Sequence, residues 1–266
     1  MADILNVKDL KVHFHNAPEE KFAVNGVSFS VKEGEILGLV GESGSGKTVT
    51  AMSISGLLPK NRADFFGSIT LDGREIFQCS EKEILSILGD KLGIVFQEPM
   101  TSMNPVMRIG PQIEEALRVH TNLSKSERRQ RALEAMAQAE LSEPEKVYKK
   151  YPHELSGGML QRAMIAAAII SRPKLLLADE PTTALDVTIQ AEILSLLRRL
   201  NMEHNMAILL ISHDLHVVRR LCSRVAVMQQ GKIVEEGLVE DIFKNPQHPY
   251  TKKLLDAIPT RDRKLI

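Results

Sequence analysis

The first thirty residues read as β. Val27, Phe29 and Val31 alternate with Ser28, Ser30 and Lys32, the period of two expected of a half-buried strand. Glu33-Gly34 makes a turn, and Glu35–Val40 is a short apolar strand that runs directly into a glycine-rich stretch. Ser68–Leu71, followed by the turn signal Asp72-Gly73, and Leu92–Phe96 read as two further strands.

After Gln97 the pattern changes, and residues 111–172 carry almost no β signal. Pro111 suits the first position of a helix over Gln112–His120. Ser124 and Glu127 have the spacing of a capping box ahead of an Ala-, Glu- and Arg-rich helix ending near Leu141. Residues 159–170 are helical as well. Apolar strands return at Lys174–Ala178 and Ala207–Ile211, and between them Ile189, Ile193, Leu196, Leu197 and Leu200 mark one face of a helix. A helical block is therefore inserted into an α/β frame, with no internal repeat.

Lysine and arginine number 34, as do aspartate and glutamate. That balance speaks against a nucleic-acid binder held by phosphate attraction. A hydrophobic content of 43% supplies an ample core and rules out a disordered chain. The two cysteines, Cys79 and Cys222, have no partner at metal-ligand spacing and are expected to be structural thiols in a reducing compartment. The start of the chain does not read as a signal peptide. The longest purely apolar run, Ala163–Ile170, falls short of the roughly 18–20 residues a spanning helix needs, so no membrane crossing is expected.

Three short motifs carry chemistry. Gly41-Glu42-Ser43-Gly44-Ser45-Gly46-Lys47-Thr48 fits G-x-x-x-x-G-K-[ST] between a strand and a helix. Its backbone N–H groups can turn inward around phosphate oxygens at a helix N-terminus. Lys47 would reach the outer phosphates and Thr48 would bind Mg²⁺. Leu175–Asp179-Glu180 is an apolar strand ending in two carboxylates; Asp179 suits the water shell of Mg²⁺ and Glu180 can take a proton from an attacking water. Leu155-Ser156-Gly157-Gly158-Met159 offers a capping serine and open backbone amides, a second anion-binding helix end.

These motifs, with Gln97, Thr183-Ala-Leu-Asp186 and His213 in chain order, resemble the nucleotide-binding subunit of an ABC transporter over nearly the whole chain. Phe96–Pro105, Thr183–Gln190 and Asn245-Pro-Gln-His248-Pro-Tyr250-Thr251 resemble its peptide and nickel importer branch. The resemblance implies a P-loop ATPase core of α/β class with an N-terminal antiparallel β portion, formed by residues 1–97 and 166–235. It also implies a helical subdomain over 98–165 and a C-terminal extension over 236–266. The implied cofactors are ATP and Mg²⁺.

The same resemblance assigns roles. Gln97 links Mg²⁺ and the attacking water to the helical subdomain, while Ser156, Gly157 and Gly158 contact the γ-phosphate held by a partner subunit. Asp186 crosses the dimer interface, and His213 bonds the γ-phosphate. Asp186 equally suits a cap of the helix after it, and His213 a cap after Ser212. Phe14 is the better positioned aromatic for stacking on adenine, with Phe22 the other candidate. Met159 departs from the usual Gln, so that side-chain hydrogen bond is absent. The implied partners are a second ABC ATPase, a different chain being favoured over a second copy, and two transmembrane permease subunits with a solute-binding protein. No nucleic acid is implied. The implied location is the cytoplasmic face of the cell membrane, and the implied cargo is di- or oligopeptides, with nickel or another small solute as the alternative.

Rivals are weaker. A DNA-repair ABC protein needs long coiled-coil arms between Gln97 and Leu155, and the interval is too short. A translation-factor type needs two cassettes. An exporter ATPase shares the core but not the His-Pro-Tyr phrase.

Overall fold

The computed structural model describes residues 2–183 and 185–257. They form two compact units, one made of residues up to 78 together with those from 209 on, the other of residues 79–208.

The strands in chain order are β1 (Asp3–Phe14), β2 (Val24–Lys32), β3 (Ile36–Val40), β4 (Ala63–Leu71), β5 (Arg74–Glu75), β6 (Leu92–Val95), β7 (Leu175–Asp179), β8 (Ala207–Ser212), β9 (Arg224–Gln229) and β10 (Lys232–Leu238). In the first unit an antiparallel sheet has the order β2-β1-β4-β5. Its alternation is as the sequence predicts: Val27, Phe29 and Val31 are buried while Ser28 and Lys32 are exposed. Val7 pairs with Phe29 and Leu10 with Val27, which puts apolar side chains of both strands on one face.

β4 starts at Ala63, five residues before the expected Ser68. Asp64 and Gly67 are poor strand formers, but pairing of Val12 with Phe65 and Lys11 with Phe66 extends the ladder through them. In the same unit β3 pairs in parallel with β9, and β9 antiparallel with β10. The turn between β9 and β10 is Gln230-Gly231, both at positive φ, the backbone of a type I′ hairpin. Gly38 of β3 lies close to the buried Cys222, and burial pushes that thiol far above its ordinary range.

In the second unit β6 and β7 pair in parallel, Leu92 with Leu175 and Val95 with Ala178. The remainder is helical, as the lack of β signal predicts. Pro111 sits third in a helix of Ile109–Ile113 rather than first in one beginning at Gln112, and a second helix follows at Glu115–His120. The third position tolerates proline because its N–H would have no intrahelical partner. Ser124 and Glu127 do form the capping box of the helix Lys125–Gln138.

That helix stops three residues before Leu141 because Glu140 adopts positive φ. Glu140 N–H donates to the Ala137 carbonyl and Leu141 N–H to Met136, both at 2.9 Å, the Schellman arrangement that closes a helix. Glu140 then accepts from Arg162 at 2.6 Å and from Arg199 at 3.1 Å, and Arg162 also donates to Glu192 at 2.8 Å. One nearly buried guanidinium thus ties together the helices Gly157–Ile169 and Val187–His204 and the end of Lys125–Gln138. Among the described residues no helix is long and apolar enough to cross a membrane.

The helix Gly157–Ile169 lies so close to β6 that a Cβ on Gly93 would sit 2.4 Å from the Ala168 carbonyl oxygen. A backbone atom cannot yield as a side-chain tip can. Gly93→Ala is therefore expected to destabilise the protein by about 1–3 kcal/mol through overpacking, read as a fall in the midpoint of denaturant unfolding.

Candidate functional site

In the first unit, residues 41–46 form the loop between β3 and the helix Lys47–Ile54. Gly46 takes φ +106, and a Cβ there would meet the Ala23 carbonyl oxygen at 2.6 Å. Only glycine satisfies both conditions. Lys47 is 5% exposed, and its ammonium donates to the carbonyls of Gly41 at 2.8 Å and Glu42 at 2.9 Å. The positive charge is thus held against the loop by main-chain oxygens. Thr48 lies exposed in the first turn of the helix, and Ser43 and Gly44 are exposed on the loop.

Two later segments of this unit brace the loop, and the motif reading includes neither. The Gly231 N–H, from the β9–β10 hairpin, donates to the Ser45 carbonyl at 2.9 Å. The Glu42 N–H donates to the Tyr250 hydroxyl at 3.0 Å. The amides of Gly44, Gly46 and Thr48 are the candidate donors to a bound phosphate, since such a nest of N–H groups at a helix start favours an anion.

His213 is exposed just after β8, and it does not cap the following helix. Asp214 does, accepting from the His216 N–H at 2.8 Å. Phe14 is the half-buried last residue of β1, paired with Ala63. Phe22 packs edge-on against His13 and Phe66, with ring centroids at 5.5 Å and 6.4 Å, so it belongs to an aromatic cluster.

In the second unit the parallel register fixes the carboxylates. Val95 opposes Ala178, so Gln97 and Glu180 each lie two residues beyond one register pair. The Gln97 amide donates to the Glu180 carboxylate at 3.1 Å, and the Thr183 hydroxyl donates to the same oxygen at 2.9 Å. Glu180 itself sits at φ +46, an uncommon conformation for a residue with a side chain. The turn from Glu180 to Thr183 is closed by the Thr183 N–H donating to the Glu180 carbonyl. Asp179, 8% exposed, ends β7 just before it.

Ser156 caps the helix Gly157–Ile169, its hydroxyl accepting from the Met159 N–H at 3.3 Å. Ser156 and Gly157 are exposed. A Cβ on Gly158 would lie 2.9 Å from Cγ2 of Ile189, so this glycine lets two helices approach. Asp186 caps the helix Val187–His204, accepting from Thr188 and Ile189 N–H at 3.1 Å and 3.0 Å. Ala184 lies outside the described residues.

Among the described residues no group of three or more His, Cys, Asp or Glu side chains is arranged to hold a metal. The candidate ligands Thr48, Gln97 and Asp179 are a hydroxyl, an amide and a carboxylate. Each is an oxygen donor of the kind Mg²⁺ takes, an ion that keeps several waters and binds through few carboxylates plus substrate phosphates.

The model of the family described as ABC transporter matches residues 24–183, and that of the oligopeptide/dipeptide transporter C-terminal region matches residues 234–266. The chain is 52% identical over 257 residues to the peptidoglycan transport ATP-binding protein YejF of Agrobacterium fabrum, covering 96% of this chain and 47% of that one. It is 49% identical over 259 residues to the oligopeptide transport ATP-binding protein OppD of Escherichia coli, covering 97% of this chain and 77% of that one. The chain thus spans about half the length of the first relative. Among solved structures, an ATP-binding cassette in a dimeric post-hydrolysis state, bound to ADP and Pi, matches with a TM-score of 0.78 and 31% identity, covering 88% of this chain and 98% of that one.

Lys47→Ala removes the ammonium at the loop. A hydrogen bond to a charged group contributes about 1.5–3 kcal/mol, so ATP affinity measured by calorimetric titration is expected to fall about 10- to 150-fold. Unchanged affinity would place the phosphates elsewhere.

Proposed function

Because the chain belongs to the ABC transporter family, as an ATP-binding protein that hydrolyses ATP with Mg²⁺, we propose that it powers the import of di- or oligopeptides from the cytoplasmic face of the membrane. The observation that carries the catalytic reading is the Glu180 carboxylate, held by Gln97 and Thr183 immediately after the strand that carries Asp179. Support for the cargo comes from the match of residues 234–266 to the oligopeptide/dipeptide transporter region and from the OppD relative. The alternative cargo, nickel or another small solute, finds no support in those names.

In this reading residues 41–48 form the phosphate cradle, in which the amides of Gly44, Gly46 and Thr48 and the Lys47 ammonium bind the β- and γ-phosphates. Thr48, Asp179 and Gln97 hold Mg²⁺, which when bound neutralises charge on the phosphate oxygens. The Glu180 carboxylate takes a proton from water as the water oxygen bonds to the γ-phosphorus and the bond to the β-bridging oxygen breaks. The Gln97 amide fixes the rotamer of that carboxylate. His213 donates to a γ-phosphate oxygen. Phe14, at the end of β1, stacks on the adenine.

Ser156, Gly157 and Gly158 serve the nucleotide of a partner subunit, with Asp186 at the interface, so hydrolysis requires two chains. A different ATPase is the favoured partner over a second copy. Two membrane permease subunits receive the motion through a helical subdomain over residues 98–165, and a solute-binding protein delivers the cargo.

Glu180→Gln separates binding from hydrolysis. The amide keeps the size of the carboxylate and can still accept from Gln97, but it takes no proton at neutral pH. Hydrolysis is expected to fall about 10²–10⁴-fold while ATP still binds, so that an ATP-dependent dimer accumulates on size-exclusion chromatography with the partner ATPase present. Normal turnover in this variant would pass the base role to His213. In vesicles carrying the assembled transporter, hydrolysis should rise when the binding protein is loaded with peptide. A rate indifferent to peptide would overturn the cargo.

A further inference from the structure

The His248-Pro249-Tyr250 phrase has a physical division of labour. Nδ1 of His248 accepts from the Tyr250 N–H at 3.2 Å and so caps the helix Pro249–Asp256. Pro249, at the first helical position, brings a φ already fixed for helix. The segment before them is pinned by Glu235 of β10, whose carboxylate accepts from the N–H of Gln247 at 2.7 Å and of His248 at 3.1 Å. Burial opposes ionisation of Glu235, yet the Gln247 N–H, the Thr251 hydroxyl and the His248 N–H and charge together outweigh it and hold its carboxyl below the usual range. Tyr250 is consequently delivered on a rigid mount. It is 6% exposed, and its hydroxyl accepts from the Glu42 N–H.

We propose that Tyr250 is a positioning residue of the phosphate-binding loop, setting nucleotide affinity by fixing the N–H end of the peptide unit between Gly41 and Glu42, whose carbonyl end is held by Lys47. The proposal rests on the reading of residues 41–48 as the phosphate cradle. The peptide unit between Gly41 and Glu42 is held at both ends, its N–H, that of Glu42, by the Tyr250 hydroxyl and its carbonyl, that of Gly41, by the Lys47 ammonium at 2.8 Å. If the N–H end is released, this peptide can rotate, and rotation turns a carbonyl dipole toward the anion and loosens the seat of Lys47. The C-terminal region is then part of the nucleotide site although it supplies no ligand atom to the phosphates.

Tyr250→Phe keeps the ring and removes the acceptor. Loss of one neutral hydrogen bond corresponds to about a 2- to 10-fold change. In the full chain, the Kd for ATP with Mg²⁺ should rise by that factor in calorimetric titration. In the assembled transporter the KM for ATP should rise in parallel with kcat kept within about twofold, and the nucleotide-free melting temperature should stay put. A folded Tyr250→Phe protein with the original Kd overturns the proposal, and so does a fall in kcat at constant KM.

Glu235→Gln weakens the mount without touching the loop and should raise the Kd in the same direction. Combined with Tyr250→Phe it should add nothing, because both act through one hydrogen bond; an additive loss, or an unchanged Kd in Glu235→Gln, overturns the proposal even if Tyr250→Phe fails to fold. A Lys47→Ala control separates the two readings. Normal ATP binding in the control overturns the loop reading itself, whereas loss in the control with none in Tyr250→Phe overturns only the role of Tyr250.

Discussion

A loop that keeps its N–H groups for an anion cannot also use them to hold its own shape. Residues 41–46 meet that constraint by being braced through their carbonyls. Lys47 donates to Gly41 and Glu42, and Gly231 donates to Ser45. Two N–H groups of the loop are taken, that of Glu42 by the Tyr250 hydroxyl at 3.0 Å and that of Ser45 by the Glu42 carbonyl at 3.2 Å. The hairpin of β9 and β10 and the helix from Pro249 therefore matter to the chemistry through geometry alone.

The second unit solves a different problem, which is to hold a carboxylate steady. Parallel pairing of β6 and β7 delivers Gln97 and Glu180 to one level, and neutral donors from Gln97 and Thr183 orient the oxygen. Elsewhere in the unit Glu140 and Glu192 compensate the Arg162 guanidinium, which packing has nearly removed from water.

Local chemistry was legible in the chain wherever it is set by neighbours in sequence. The alternation of β2, the capping box at Ser124, the Ser156 cap and the glycine-lysine loop all depend on residues within a few positions. What escaped depends on partners far along the chain. β4 runs five residues further back because β1 lies beside it, and β9 and β10 carry no distinctive period, one being buried throughout its middle and the other largely open. Gln230-Gly231 lacks the Asn-Gly or Asp-Gly signal of its turn type. The supports of the loop, Gly231 and Tyr250, and the register that joins Gln97 to Glu180 are tertiary facts. His213 shows the same limit at short range, since Asp214 next to it is the better cap and takes that place.

The bracing of residues 41–46 also has a consequence for how the protein is made. Glu42 and Tyr250 are 208 positions apart, and ribosomes add about 5–20 residues per second. For roughly 10–40 s of translation, then, a nascent chain exposes a glycine-rich loop whose last brace does not yet exist. The loop is synthesised long before the residue that completes its bracing.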